Sequence, residues 1–469
     1  MERIHKYFEG FVSQSKYSLS QKNTAIYADF ISDEQNIEAV KIIQENQQMM
    51  LDKWVVKNKI NDILQQFFML PNGTVNKKYE SKIDFKALDW DEIIYFEIEG
   101  LDEVGLVFDD QNDVISGIPT TSGDIKIKLL FRVDGEEESS ILNEKILTLI
   151  INPDPKSLWK NLDSDKNDPY WKEDSVSIDS PFQDKNIVIA SKRGRSHANV
   201  GSFREDHFAF KNYEKSGWSL IVVSDGAGSA KCSRKGSAIA CESIVNYFEE
   251  NFTAEYLADF DMVLENHSKN SDEESSKKIS HFVYNNLSKA AHFTHKQLES
   301  FANEKEMPLN DLHATLIFAL VKKYDFGYAV LTFGVGDCPI GLMNKDCTEI
   351  NLMNWLDVGE FGGGTRFITM AEIFQSDKFP SRFGFKLTDD FSYLMLMTDG
   401  IYDPKFVVEA NLEKVEKWNE FLSDLNGENE DGKKVDFQSD PQHVNNQLSD
   451  WMDFWSPGNH DDRTLALIY

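Results

Sequence analysis

The run Leu220-Ile221-Val222-Val223-Ser224-Asp225-Gly226-Ala227-Gly228-Ser229 decides how this chain is read. Apolar, largely β-branched residues followed by Asp-Gly describe a buried strand that stops in a tight turn and presents a carboxylate at its mouth. The same grammar returns in Tyr393-Leu394-Met395-Leu396-Met397-Thr398-Asp399-Gly400 and in Phe333-Gly334-Val335-Gly336-Asp337. Near the C-terminus, Asp461-Asp462-Arg463-Thr464 leads into a terminal strand from Leu465 to Tyr469. Upstream, Arg204-Glu205-Asp206-His207-Phe208 follows Gly194-Arg195-Ser196-His197. One Asp-Gly pair is ordinarily just a turn. Carboxylates repeated at strand ends, with no His or Cys cluster beside them, suit hard oxygen-seeking cations, magnesium or manganese, rather than zinc or copper. Two such ions about 4 Å apart could bridge one water, lower its pKa and hold it for in-line attack on phosphorus.

The order of these motifs resembles that of the metal-dependent serine/threonine protein phosphatases of the PPM (type 2C) family. The matching segments are Glu205-Asp206, Ser224-Asp225-Gly226-Ala227-Gly228, His313-Ala314-Thr315, Gly336-Asp337, Thr398-Asp399-Gly400 and Asp461-Asp462-Arg463-Thr464, over about residues 187 to 469. The resemblance implies an α+β fold, an α-β-β-α sandwich of two antiparallel sheets with two divalent cations, manganese or magnesium, at one edge. It implies that Asp225 bridges both metals and the Gly226 carbonyl binds one of them. Asp399 and Asp461 then hold the other metal, and Glu205 and Asp206 orient bound waters or touch a metal. Asp311 matches an acidic residue that some members use for a third, weaker metal. The implied reaction is hydrolysis of a phosphomonoester by a water or hydroxide bridging the metals, without a covalent phosphoenzyme. The implied substrate is a phosphorylated protein, with a cognate serine/threonine kinase as signalling counterpart.

Three positions depart from the family pattern. Gly201 stands where an arginine usually grips phosphate, which leaves Arg195, His197 and Arg204 as candidates for that grip; Gly194-Arg195-Ser196-His197 resembles a divergent bacterial branch. Ala227 stands where animal members carry a histidine. Asp462 replaces the usual asparagine. The missing arginine sustains an alternative, a phosphatase fold that binds or regulates without turnover. His207 and His313 are read as packed residues, and Phe361-Gly362-Gly363-Gly364-Thr365-Arg366 as a substrate flap, since no strand and helix frame it as a nucleotide loop.

The rest of the chain reads as scaffold. Its 469 residues allow about three domains. Residues 1–68 are expected to be helical: Asp33 to Phe68 has no Gly or Pro, and Ile42, Ile43, Met49, Met50, Trp54, Ile60, Ile63, Leu64, Phe67 and Phe68 recur as a packing stripe. Residues 69–153 alternate in short runs, and resemble immunoglobulin-like repeats through Leu70-Pro71-Asn72-Gly73-Thr74-Val75 and Asp113-Val114-Ile115-Ser116-Gly117-Ile118-Pro119-Thr120-Thr121-Ser122-Gly123. That resemblance implies an all-β sandwich acting as spacer or docking module. Residues 154–186 are rich in Asp, Asn, Ser, Pro and Lys and read as a linker, and 187–469 as the catalytic domain. A formal charge of −30 argues against nucleic acid as a partner. Cys232, Cys241, Cys338 and Cys347 form no CxxC pair and read as packed thiols in a reducing compartment. With no signal-peptide-like start and no long apolar run, the expected location is cytoplasmic, away from membranes.

Overall fold

Every residue from Trp218 to Ser224 is buried, so this strand has no solvent face and needs a packed layer on each side. The computed structural model describes residues 2–357, 364–438, 443–456 and 458–469. They fall into two units, Met1–Leu158 and Trp159–Tyr469.

The first unit begins with helices α1 (Glu2–Ser13), α2 (Thr24–Ser32) and α3 (Glu34–Gln65). Asp33 caps α3 by accepting from the Gln35 and Asn36 amides. The expected packing stripe is buried only in part. Ile60 and Ile63 join the core, whereas Ile42, Ile43, Met49, Met50 and Trp54 are exposed. At 1.5 Å per residue, the 32 residues of α3 extend about 48 Å, beyond the sheet that its C-terminal end meets. Seven strands follow: β1 (Gly73–Thr74), β2 (Tyr79–Lys82), β3 (Ile93–Glu99), β4 (Leu106–Asp109), β5 (Val114–Gly117), β6 (Gly123–Val133) and β7 (Asn143–Asn152). They form one sheet in the order β1-β7-β6-β3 and another in the order β2-β5-β4. Ile127, Leu129, Phe131, Leu147 and Leu149 share a core with Tyr79, Leu106 and Ile115 of the second sheet. Lys145 occupies an inward position of β7. Its Nζ donates to the Ile63, Leu64 and Gln66 carbonyls at 2.8, 3.2 and 2.6 Å, where α3 has run out of intrahelical donors.

The second unit contains β8 (Ser175–Phe182), β9 (Lys185–Lys192), α4 (Arg195–Val200), β10 (His207–Tyr213), β11 (Trp218–Ser224), α5 (Ser233–Asn251), α6 (Ala254–Lys269), α7 (Glu273–Glu304), β12 (Leu316–Tyr324), β13 (Gly327–Val335), β14 (Ile340–Asn344), β15 (Ile350–Leu352), β16 (Phe383–Thr388), β17 (Phe391–Met397), α8 (Asp399–Phe406), α9 (Val415–Leu425), α10 (Val444–Trp451) and β18 (Arg463–Ile468). Two antiparallel sheets result, β10-β11-β12-β13-β16 and β15-β14-β17-β18-β9-β8. Period-two alternation sorts their side chains. Ile221, Val223, Ile317, Ala319, Leu394, Leu396, Ala466 and Ile468 meet between the sheets. Leu220, Val222 and Phe318 face Ile244, Phe248 and Ile279 of α5 and α7. Met395, Met397, Leu465 and Leu467 face Trp418, Phe421, Leu448 and Trp451 of α9 and α10. This is the expected α-β-β-α order of layers.

The stretch expected to be a linker is largely part of this unit. Ser175–Phe182 pairs along its whole length with β9, and Asp168 forms a 2.8 Å ion pair with Arg234 of α5. Its polar composition reflects an edge strand and Asx turns, such as Asp165 accepting from Asn167, rather than free chain. Among the described residues, no helix is long and apolar enough to cross a membrane.

Replacing Lys145 by Met removes three donors from buried carbonyls. The substitution is expected to cost ~2 kcal/mol in urea unfolding of the full chain, read in the transition that reports the first unit; an unchanged midpoint would show the α3 terminus to be satisfied otherwise.

Candidate active site

Where β11 ends, the chain is sewn to the start of β12. The Ser224 hydroxyl donates to the Thr315 carbonyl at 2.5 Å and the Asp225 amide to Thr315 Oγ1 at 2.9 Å. The Thr315 amide returns a bond to the Asp225 carbonyl at 2.8 Å. These bonds fix the turn from which the Asp225 side chain projects. Gly226 is required here, because a Cβ would lie 2.8 Å from the Glu205 carbonyl oxygen.

The other sheet delivers Asp399 at the start of α8 and Asp461 just before β18. Between the sheets lies Asp206, fully buried, whose Oδ2 accepts from the hydroxyls of Thr398 at 2.9 Å and Thr464 at 2.6 Å. Asp462 does a different job. Its buried carboxylate accepts from the Gly194 amide at 2.6 Å and from the Glu205 amide, clamping both loops together. Beneath Glu205 and Asp206 runs Lys172, with Nζ donating to the Glu205 carbonyl at 3.1 Å and the Asp206 carbonyl at 2.6 Å.

The electrostatics are those of a site short of positive charge. Burial, then Asp399, Asp206, Asp461 and Asp337, hold the Asp225 carboxyl well above its ordinary range. Asp399 is raised by burial and by Asp337, Asp461 and Asp206. Burial, together with Asp462, pushes Asp206 up to about 7, and burial pushes Glu205 to about 7 despite the nearby His197. Asp206 Oδ1, Asp337 Oδ1, Asp399 Oδ1 and Glu205 Oε2 are buried with no hydrogen-bond partner. Partnerless buried carboxylate oxygens are costly unless a proton or cation meets them. Ligand atoms of Asp225, Asp337 and Cys338 lie within 4.8 Å of one another, as do those of His197, Asp461 and Asp462. This donor set, dominated by carboxylates with orphaned oxygens, fits divalent cations.

The structure thus brings Asp225, Asp206, Asp399 and Asp461 into one charge cluster, with Glu205 beside it. Asp337 joins them, a residue whose motif is legible as a strand-end carboxylate but which carried no role in the sequence reading. For Asp311 the structure gives a main-chain contact, its carbonyl accepting from the Cys232 amide at 2.8 Å. Lys172 leaves no linear signal, lying in a polar stretch. Burial, then the Arg204 charge, lowers its pKa to about 7.

The three candidates for a phosphate grip divide. Arg204 is buried and spent on the Glu173 and Asp206 carbonyls, both at 2.9 Å, and on Ser191 Oγ at 2.6 Å. Arg195 donates to the Asp453 carbonyl at 2.7 Å and lies over the Trp455 ring. His197 sits 3.2 Å from Asp462 and 3.5 Å from Asp461. Burial opposes its charge, but Asp462, Glu205 and Asp461 raise its pKa to about 10. Gly201 closes α4 at φ +71°, a conformation that explains glycine where an arginine was sought.

His313 is packed, with Nδ1 2.6 Å from Thr369 Oγ1 and its ring stacked on Phe367. Burial lowers His207 to about 3. Of the expected flap, Phe361, Gly362 and Gly363 lie outside the described residues; Thr365 donates to Asp337 Oδ2 at 2.7 Å.

With this geometry in view, the chain can be placed. The family model for protein phosphatase 2C matches residues 193–453, more than half of the chain, and the chain belongs to that family. Solved structures similar to it include a bacterial serine phosphatase, 17% identical with a TM-score of 0.36, covering 60% of this chain and 96% of that one. Serine/threonine phosphatase Stp1 from Staphylococcus aureus is 15% identical with a TM-score of 0.35, covering 63% and 94%. The serine/threonine phosphatase of S. agalactiae is 14% identical with a TM-score of 0.35, covering 63% and 99%. No curated protein matches the chain.

Two predictions follow from the charge balance. Carboxylates raised by folding bind protons in the native state, so without cations their contribution to stability falls as pH rises above the ordinary carboxylate pKa. Asp399→Asn is therefore expected to raise the melting temperature in EDTA by a few degrees (~2–4 °C). The gain should grow from pH 4 to pH 7, and destabilisation at pH 7 would contradict the assignment. Lys172→Met is expected to cost ~1–3 kcal/mol in urea unfolding by removing the buried Nζ donor that the Glu205 and Asp206 carbonyls share.

Proposed function

We propose that this protein is a metal-dependent protein serine/threonine phosphatase that hydrolyses phosphomonoesters. The observation that carries the reading is the convergence, from the ends of both sheets, of Asp225, Asp206, Asp337, Asp399 and Asp461, three of which, Asp206, Asp337 and Asp399, each have a buried oxygen without a partner. Asp225, with the Gly226 carbonyl, would hold two cations, Asp399 and Asp461 would complete one of them, and Asp206 and Glu205 would bind or orient water. Asp337 is a candidate for a third, weaker site beside Asp311, the residue to which the resemblance gives that role. Manganese or magnesium bound there would offset the negative charge of a phosphate and make water acidic enough to attack at neutral pH.

The chain's own residues prepare that chemistry. Thr398 and Thr464 orient the Asp206 carboxylate through their hydroxyls, and Thr315 fixes the Asp225 main chain. Asp462 and Lys172 hold the Glu205-Asp206 backbone from two sides. His197, the imidazolium among Glu205, Asp461 and Asp462, is the candidate for contacting phosphate, with Arg195 at the rim. A phosphorylated protein is the proposed substrate, a serine/threonine kinase its signalling counterpart, and the cytoplasm, where four unpaired thiols persist, its setting. The β-rich region of 69–153 is proposed as an immunoglobulin-like docking module.

A second reading, a phosphate-binding module without turnover, is favoured by one feature: the α4 terminus needs glycine at 201, so no arginine reaches substrate from there. Assay of the full chain separates the two. Hydrolysis of p-nitrophenyl phosphate and a phosphothreonine peptide should require manganese or magnesium and vanish in Asp225→Asn, with the fold checked by circular dichroism. Phosphopeptide binding without turnover under either metal would establish the module instead.

A further inference from the structure

The residue after Asp337 is a cysteine, and it sits where the carboxylates meet. The Cys338 side chain is fully buried, with Sγ 3.4 Å from Thr315 Oγ1, the same hydroxyl that accepts from the Asp225 amide. One ligand atom each from Asp225, Asp337 and Cys338 lie within 4.8 Å of one another. Asp337 uses Oδ2 for the Thr365 hydroxyl, which leaves its buried Oδ1 without a partner. Two carboxylates and one sulfur therefore share a face that has an unmet need for positive charge. Cys241, by contrast, directs its sulfur at the His207 carbonyl, 3.6 Å away.

Hard cations take oxygen ligands and leave a thiol protonated, whereas zinc, cadmium and cobalt(II) bind thiolate readily. We infer that Cys338, with Asp225 and Asp337, forms a mixed oxygen–sulfur site for a thiophilic divalent cation of the zinc class. The inference rests on the proposed metal-centre reading and adds a ligand of opposite preference to it. Capture is a simple exchange: the S–H bond breaks, its proton passes to solvent, and the electron pair left on sulfur forms the bond to the cation, with no change of oxidation state. An ion held by Cys338 also engages Asp225, so zinc competes with manganese for a ligand that turnover requires.

Cobalt(II) added to the ion-free full chain reads both kinds of ligand. Visible d–d bands are expected from coordination as such, and a near-ultraviolet sulfur-to-cobalt charge-transfer band from Cys338. Cys338→Ser should lose the near-ultraviolet band, keep the d–d bands and bind zinc about 10-fold more weakly or worse, while Cys241→Ser keeps both bands. X-ray absorption of the zinc-loaded wild-type chain should show one sulfur at about 2.3 Å among lighter scatterers, a readout independent of any variant. An all-oxygen shell, or a charge-transfer band that survives Cys338→Ser, overturns the assignment of Cys338 and leaves the metal centre standing. Absence of d–d bands together with absence of manganese binding by calorimetry overturns the metal centre beneath it.

Discussion

Like-charge repulsion in a buried place is the constraint around which the phosphatase-family unit is arranged. Asp225, Asp206, Asp337, Asp399 and Asp461 come from the ends of both sheets; burial raises the Asp225, Asp206 and Asp399 carboxyls, and Asp337 and Asp461 raise Asp225 and Asp399 further. In a low-dielectric interior such a cluster would push the sheets apart unless each backbone were tied independently of the charges. The ties are visible: reciprocal bonds between Asp225 and Thr315, threonine hydroxyls on Asp206, and Asp462 bonded to amides from two loops. The acidic cluster is thus held in one geometry by main-chain and hydroxyl bonds around it.

Cationic side chains supply the remaining balance, and they do so from beneath. Lys172 and Arg204 spend their donors on main-chain carbonyls of the Glu205-Asp206 segment. That commitment explains why Arg204, adjacent in sequence to the acidic pair, is no substitute for the missing arginine at 201. A comparable device holds the Gly336-Asp337 turn: Asp357 accepts from the Gly336 amide at 2.9 Å and pairs with buried Arg382. A buried ion pair of this kind adds little stability by itself but specifies one position for the turn.

The buried strands were legible because burial on both faces leaves a continuous apolar run, as in Leu220 to Val223 and Leu394 to Met397, and Asp-Gly marks where such a run stops; the order of layers came from the family resemblance of the motifs. The same signal pointed to Asp225, Asp399 and Asp461. It also marked Asp337 as a strand-end carboxylate, though not its place in the cluster. Ser175–Phe182 was hidden, since an edge strand carries Ser, Asp and Pro like a linker. Lys172 and Cys338 were hidden too: no local pattern tells a lysine beneath an active site, or a thiol at its edge, from ordinary ones.

By itself, the sequence determined where apolar strands stop in turns and which acidic residues stand there, because these depend on local periodicity and turn chemistry, while the family was legible in the order of its motifs. Only the tertiary structure decided which carboxylates face one another, that Arg204 points away from the site while His197 points into it, and that a sulfur joins the oxygens. Those relations link residues up to 268 positions apart, as Gly194 and Asp462 are, and no local rule of spacing encodes the geometry of two sheets meeting.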